Sequence, residues 1–146
     1  MNYHIHEGAL NVFAWTQDRS LNVLSVQLPE HEQAAQVVIS RDQLEAGETL
    51  EQSVTRQLHA LERQVKQLLI HSRQGLSIGP NQWPAVAVYS ELKQGEHTAW
   101  QAQVAMMDRG RGAGAVLVFT LSATQALSPA SVEQWWSIVQ GFRPRQ

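Results

Sequence analysis

Trp83-Pro-Ala-Val-Ala-Val-Tyr-Ser-Glu-Leu92, Lys93-Gln-Gly-Glu96 and Thr98-Ala-Trp-Gln-Ala-Gln-Val-Ala-Met-Met107 decide the fold class. Two runs rich in β-branched and aromatic residues flank a short polar turn containing glycine, the pattern of an antiparallel hairpin. A third run, Ala115 to Leu121, follows Gly110-Arg-Gly-Ala-Gly114, so a second hairpin extends the first into a meander. This is the firmest topological statement the sequence carries.

Working outward, Ser128-Pro-Ala130 opens a short last helix, with Ser128 as N-cap and Pro129 at the first helical position. It runs through Trp135, Trp136 and Val139 to Gly141. Adjacent helix positions diverge by about 100°, so one tryptophan is expected in the core and the other partly exposed. Upstream, Thr49 and Gln52 form a capping-box pattern ahead of a long helix predicted over Leu50 to His71. Its apolar stripe is Leu50, Val54, Leu58, Leu61, Val65, Leu68 and Leu69, and Gly75 is the expected stop.

Nearer the N-terminus, Tyr3 to His6, Ala9 to Trp15, Leu21 to Leu28 and Val37 to Ile39 read as apolar or alternating strand segments. Pro29 ends the third, since proline cannot donate to a ladder. The order strand, strand, helix, strand, strand, strand, helix indicates an α+β fold with a mostly antiparallel sheet. Without internal repeats, linkers or low-complexity segments, residues 1–146 read as one domain.

Composition narrows the function classes. Charged residues are only 16% of the chain, below the usual quarter. Eighteen glutamines supply polarity instead, and Lys66 and Lys93 are the only lysines. Such a surface is less strongly hydrated than a Lys/Glu surface and less costly to bury against a partner. Net charge is −2 with scattered basic residues, so no nucleic-acid footprint is present. The absence of cysteine excludes disulfides and thiolate chemistry. No signal-peptide pattern opens the chain and no apolar run spans a bilayer, which leads to the expectation of a cytoplasmic protein.

The candidate chemical motifs each fail on context. Gly75-Leu-Ser-Ile-Gly79 matches a serine-hydrolase string, but the nucleophile elbow needs a strand before Ser77 and a helix after it. His4 and His6 share a strand face without further ligands at metal-binding spacing. Gly110 to Gly114 leads into a strand, whereas a phosphate loop leads into a helix N-terminus. Asp occurs only at 18, 42 and 108, with no paired-acid spacing. The expectation is a non-enzyme that needs no cofactor or metal.

The positive signal is apolar strand surface in excess of what two helices cover. Leu24, Val26 and Leu28 alternate on one face while Leu21 and Val23 lie on the other; Ala85 to Tyr89 and Ala115 to Phe119 are nearly continuous. A leftover apolar face points to dimerisation or capture of a hydrophobic ligand. Gln101 and Gln103 share one strand face, where amides can bond polar atoms of a bound segment.

Several segments together resemble a known family. Asn2-Tyr-His-Ile-His-Glu-Gly8, Trp15-Thr-Gln-Asp-Arg19 leading into Leu21-Asn-Val-Leu24, Val38-Ile-Ser-Arg41, and Gly141-Phe-Arg-Pro-Arg145 occur in order along nearly the whole chain. In that order and length the chain resembles DcrB-related proteins of the Eag type, the effector-associated chaperones of bacterial type VI secretion. The resemblance implies a homodimer of Mog1/PsbP-like fold, with a concave apolar groove holding the N-terminal transmembrane segments of a secreted effector. It also implies help in loading that effector onto the secretion spike. Carried onto this sequence, the groove would use Leu24, Val26, Val38 and Ile39, with Gln57 and Gln101 or Gln103 as polar contacts. On that assignment Leu24→Asp or Val26→Asp leaves the fold intact and loses the client. The alternative is a DcrB/Mog1-like adaptor for a folded partner.

Overall fold

The computed structural model describes residues 2–5, 7–13 and 19–145; His6 and Trp15 to Asp18 lie outside them. The elements are β1 (Asn2–Ile5), β2 (Gly8–Asn11), β3 (Leu21–Val26), β4 (Ala35–Gln43), α1 (Leu50–Gln64), β5 (Gln67–Ile78), β6 (Trp83–Gln94), β7 (His97–Met107), β8 (Ala115–Ala123) and α2 (Pro129–Gln140). Strands β1 and β2 form a small hairpin of their own. The other six form one sheet in the order β3-β4-β8-β7-β6-β5, every neighbouring pair antiparallel. This is the expected α+β architecture, with a long and a short helix.

The meander β6-β7-β8 is present as read. Gln94 pairs with His97, leaving the two-residue loop Gly95-Glu96, and Gly95 takes the positive φ (62°) that such a tight turn demands. Helix α1 carries the chain across one face of the sheet from β4 to the far edge at β5, and α2 packs on the opposite face. Alternation along each strand therefore divides the core in two. Ala87, Ala102, Val104, Met106, Leu117, Phe119 and Leu121 meet α2. Val86, Val88, Ala105, Val116 and Val118 meet Val54, Leu50 and Leu58 of α1.

Local capping is as the sequence predicts. Gln52 N–H donates to Thr49 Oγ1 at 3.1 Å, and Thr49 N–H donates to Gln52 Oε1 at 2.9 Å. In α2, Ser131 N–H donates to Ser128 Oγ at 3.1 Å.

The end of α1 corrects the sequence reading. The helix stops at Gln64, not His71, with Val65 as an extended C-cap. Lys66 N–H already donates to Lys93 O, and Gln67 onward pairs with β6. Leu68 and Leu69, taken as the end of a helical stripe, are strand residues. Gly75 does not stop the helix; it lies mid-strand opposite Val86. The physical reason is that β5 is an edge strand, exposed at most positions. A strand with so little to bury has no period-2 pattern, while Leu61, Val65 and Leu68 continue a helical spacing by coincidence. Pairing with β6 along nearly its whole length outweighs that local preference.

β2 spans Gly8–Asn11 where the apolar run suggested Ala9 to Trp15, with Val12 and Phe13 outside the strand; Trp15, and His6 at the expected end of the first strand, lie outside the described residues. β4, by contrast, extends the predicted Val37 to Ile39 in both directions.

Trp135 and Trp136 are both buried, at 6% and 3% exposure, against the expectation that one would be partly exposed. Trp135 Nε1 donates to Ala102 O at 2.8 Å, so this helix face is bonded to the sheet as well as packed on it. Gly79 N–H donates to Gln140 O at 3.0 Å, tying the β5–β6 turn to the end of α2. With that turn and the Phe142 tail beside it, the helix buries an arc wider than one stripe; Phe142 lies edge-on to Phe119 at 5.3 Å.

Candidate functional site

The α1 face of the sheet is only partly roofed. Reading across the registers, Val23 pairs with Val38, Val38 with Thr120, Thr120 with Gln103, and Gln103 with Val88. The neighbouring row is Ser25, Gln36, Ser122, Gln101 and Ser90. Helix α1 covers the Val86, Val88, Ala105, Val116 and Val118 portion. Beyond it a strip of the sheet face is left uncovered, which we call the trough; its outer edge is Leu21 and Val23 on edge strand β3, 62% and 56% exposed. Val38, Thr120, Gln101, Gln103 and Ser122 form its half-buried floor.

Gln57 belongs to the α1 wall of this trough. Its amide nitrogen donates to Asp42 Oδ2, so a β4 carboxylate fixes the orientation of a helix amide. Gln101 and Gln103, by contrast, make no side-chain hydrogen bond with any described residue. Half-buried amides without an internal partner beside an apolar lip offer both donors and acceptors to a bound segment.

The α2 face carries a different feature, an apolar groove of about 470 Å³ between β3, β4, β8 and α2. Leu24, Val26, Ile39, Phe119, Trp135 and Ile138 line it, together with the turn after β3. No charged side chain contributes. Gln27 at its rim is held by donation to His31 O at 2.6 Å.

The seven residues assigned from sequence thus divide between two surfaces. Val38, Gln57, Gln101 and Gln103 lie on the α1 side, while Leu24, Val26 and Ile39 lie on the α2 side. No single concave surface holds all seven. The residues the sequence assignment left out are Leu21 and Val23, which face the α1 side. The available signal was their alternation with Leu24 and Val26, usable only with the Val23–Val38 register in hand.

Electrostatics lie at the periphery. Arg56 Nε contacts Glu48 Oε2 at 2.7 Å, and this hydrogen bond holds the Glu48 carboxyl below the usual carboxylate range. Arg73 bonds Glu51 across from β5 to α1 at 3.0 Å. Burial pushes the Tyr89 hydroxyl up, and that hydroxyl clamps the segment before α2 by accepting from Leu127 N–H and donating to Leu127 O. In the β7–β8 loop, Arg111 is engaged by Asp108 and by Val116 O. Ser77 sits in β5 opposite Pro84, followed by a turn and β6. Among the described residues no three His, Cys, Asp or Glu side chains gather as a metal site, and no helix is long and apolar enough to cross a membrane.

A DcrB profile matches residues 7–141, nearly the whole length of this architecture. The chain belongs to the DcrB family. Effector EagT6 of Pseudomonas aeruginosa is 28% identical to it over 143 residues, spanning 98% of this chain and 95% of its own. The crystal structure of PA94, a protein of unknown function from Pseudomonas aeruginosa, superposes with a TM-score of 0.79 at 27% identity. That match covers 100% of this chain and 97% of the other. The end-to-end likeness of this DcrB protein to Effector EagT6 agrees with the Eag-type resemblance in the order of its sequence segments.

Proposed function

We propose that this DcrB protein is a non-enzymatic chaperone of the effector-associated type, holding N-terminal transmembrane segments of a type VI effector in the α1-side trough. The observation that carries the reading is the pairing of an open apolar lip, Leu21 and Val23, with half-buried amides at Gln101 and Gln103 that have no side-chain hydrogen bond among the described residues. An apolar helix laid along the trough covers Leu21, Val23 and Val38. The glutamines meet polar atoms of its backbone and side chains. Each Å² of apolar surface so covered contributes roughly 25 cal/mol before the costs of association. A segment that would otherwise aggregate in the cytoplasm is kept soluble until the target bilayer competes for it. No nucleotide enters this cycle. Two copies act together, and the held effector is presented to the secretion spike.

Affinity capture from the native cells, with mass spectrometry of what stays bound, tests the proposal. The wild-type protein retains one large protein with apolar N-terminal segments, and Val23→Asp retains at least tenfold less of it. Retention of soluble partners lacking such segments, unaffected by Val23→Asp, favours instead an adaptor for a folded protein.

A further inference from the structure

Two stretches noted in the sequence, Gly110 to Gly114 and the tail Gly141-Phe-Arg-Pro-Arg145, take no part in the trough. The fold brings them to one end of the sheet, with the β5–β6 turn standing between them. Trp83 closes that turn and packs on the α2-side core. Its indole lies 3.6 Å from where a side chain on Gly110 would begin. Gly79 opens the same turn, and its N–H donates to Gln140 O at 3.0 Å. A Cβ at Gly79 would stand 2.8 Å from Phe142 O and 3.6 Å from Pro144 Cδ. With φ at 72°, this position requires glycine for the turn and for the close approach of the tail.

These segments are held in place rather than trailing. Phe142 N–H donates to Val139 O at 2.9 Å. Arg111 bonds Asp108 Oδ2 at 2.7 Å and Val116 O at 2.8 Å, closing the β7–β8 loop on itself. They also concentrate positive charge. Four of the nine arginines, Arg109, Arg111, Arg143 and Arg145, lie here against one acid, Asp108, on a chain whose net charge is −2. Arg111 occupies that acid. The adjoining β4–α1 turn, tied to the loop by Leu44 N–H to Gly114 O, commits Glu45 and Glu48 to Arg56. Arg109, Arg143 and Arg145 are exposed and have no ion-pair or hydrogen-bond partner among the described residues. Elsewhere arginines are engaged: Arg41 by Asn22, Arg56 by Glu48 and Arg73 by Glu51.

We propose that this end of the sheet is a second interaction surface, taking an acidic segment of a partner protein whose carboxylates pair with Arg109, Arg143 and Arg145. The planar guanidinium fork matches a carboxylate bidentately, which the point charge of a lysine does not, and neither lysine of the chain lies here. An anionic membrane surface fits less well. The large apolar side chains of this end, Trp83 and Phe142, pack on the core and leave little to insert among lipids. The surface is separate from the trough and stands without the chaperone reading.

The test is fluorescence anisotropy of a labelled oligoglutamate peptide titrated with the full chain at low salt. An exposed arginine–carboxylate pair is individually weak. Arg109→Gln, Arg143→Gln and Arg145→Gln are therefore each expected to weaken binding roughly threefold, and the triple variant roughly thirtyfold. Added salt should weaken the wild type as well. Arg63→Gln, at an exposed arginine on α1, and Val23→Asp, in the trough, are expected to change nothing, and circular dichroism confirms that each variant is folded. Absence of peptide binding by the wild type overturns the proposal. So does a loss in Arg63→Gln equal to that of the single variants, since attraction would then follow overall charge. Sedimentation with vesicles of phosphatidylcholine and phosphatidylserine, lost in the triple variant while the peptide is ignored, would replace the acidic segment with a membrane.

Discussion

The two faces of the six-stranded sheet are built from alternate residues of the same strands, yet they are finished differently. The α2 face is continuous: Ala87, Ala102, Val104 and Met106 at 3% exposure or less lie under two buried tryptophans, and the indole of Trp135 is bonded to the sheet. The α1 face is continuously apolar only where α1 covers it; beyond, Thr120, Gln101 and Gln103 separate that portion from the exposed Leu21 and Val23 of β3. Burial of apolar surface stabilises the fold in the first region. In the second, polarity without charge keeps the surface soluble yet inexpensive to desolvate. On the proposed function this follows, because a face that opens to a partner cannot be packed to the density of a core.

The largest expected difference between the faces is in stability. Trp136→Ala removes a side chain at 3% exposure and is expected to cost about 3–5 kcal/mol, read from the urea midpoint at unchanged slope. A loss below about 1 kcal/mol would mean that the α2 face is not the principal core.

Next comes a matched pair. Val23 and Leu24 are neighbours on β3, each 56% exposed, and they point to opposite faces. Val23→Asp is expected to reduce client retention at least tenfold, about 1.4 kcal/mol or more. Leu24→Asp, on the opposite face, is expected to leave client retention within about threefold. Identical effects of the two substitutions would erase the division of labour between the faces. Loss of client from Leu24→Asp alone would return the groove to the side first read from the sequence.

The roof of the α1 face offers a smaller test. Thr49→Ala removes one half of the capping box and is expected to destabilise by about 1 kcal/mol. Client retention should fall with it only as far as the folded fraction falls. The smallest effect concerns Glu48, whose carboxyl is held below its ordinary 4.5 by Arg56. Because the folded value is the lower one, this contribution is present above about pH 4.5 and is lost as pH falls through the folded value. In Glu48→Gln, stability measured between pH 6 and pH 3 should therefore decline less steeply than in the wild type.

Much of this architecture is legible in the sequence because its signals are local. The capping box at Thr49 and Gln52, Ser128-Pro129 at the head of α2, and the Gly95 turn each depend on residues within four positions of one another. The end of α1 is not local. Gln67 to Ile78 is half of a pairing whose other half is β6, and an exposed edge strand carries no alternation to announce itself. Nor is the division of the candidate site local. The strand period of two tells that Val38 and Ile39 face opposite ways, but not which of them shares a surface with Gln101. That follows from the register linking β3, β4, β8 and β7 and from the face that α1 happens to cover.

The sequence by itself therefore determined the fold class, the caps, the meander and an amide-rich surface of low charge, since each follows from residue type and short-range spacing. Only the tertiary structure decided where the helix yields to the edge strand and which apolar residues share a face. Those outcomes depend on hydrogen-bonded registers and packing between segments far apart in the chain, where a one-residue shift exchanges the two faces.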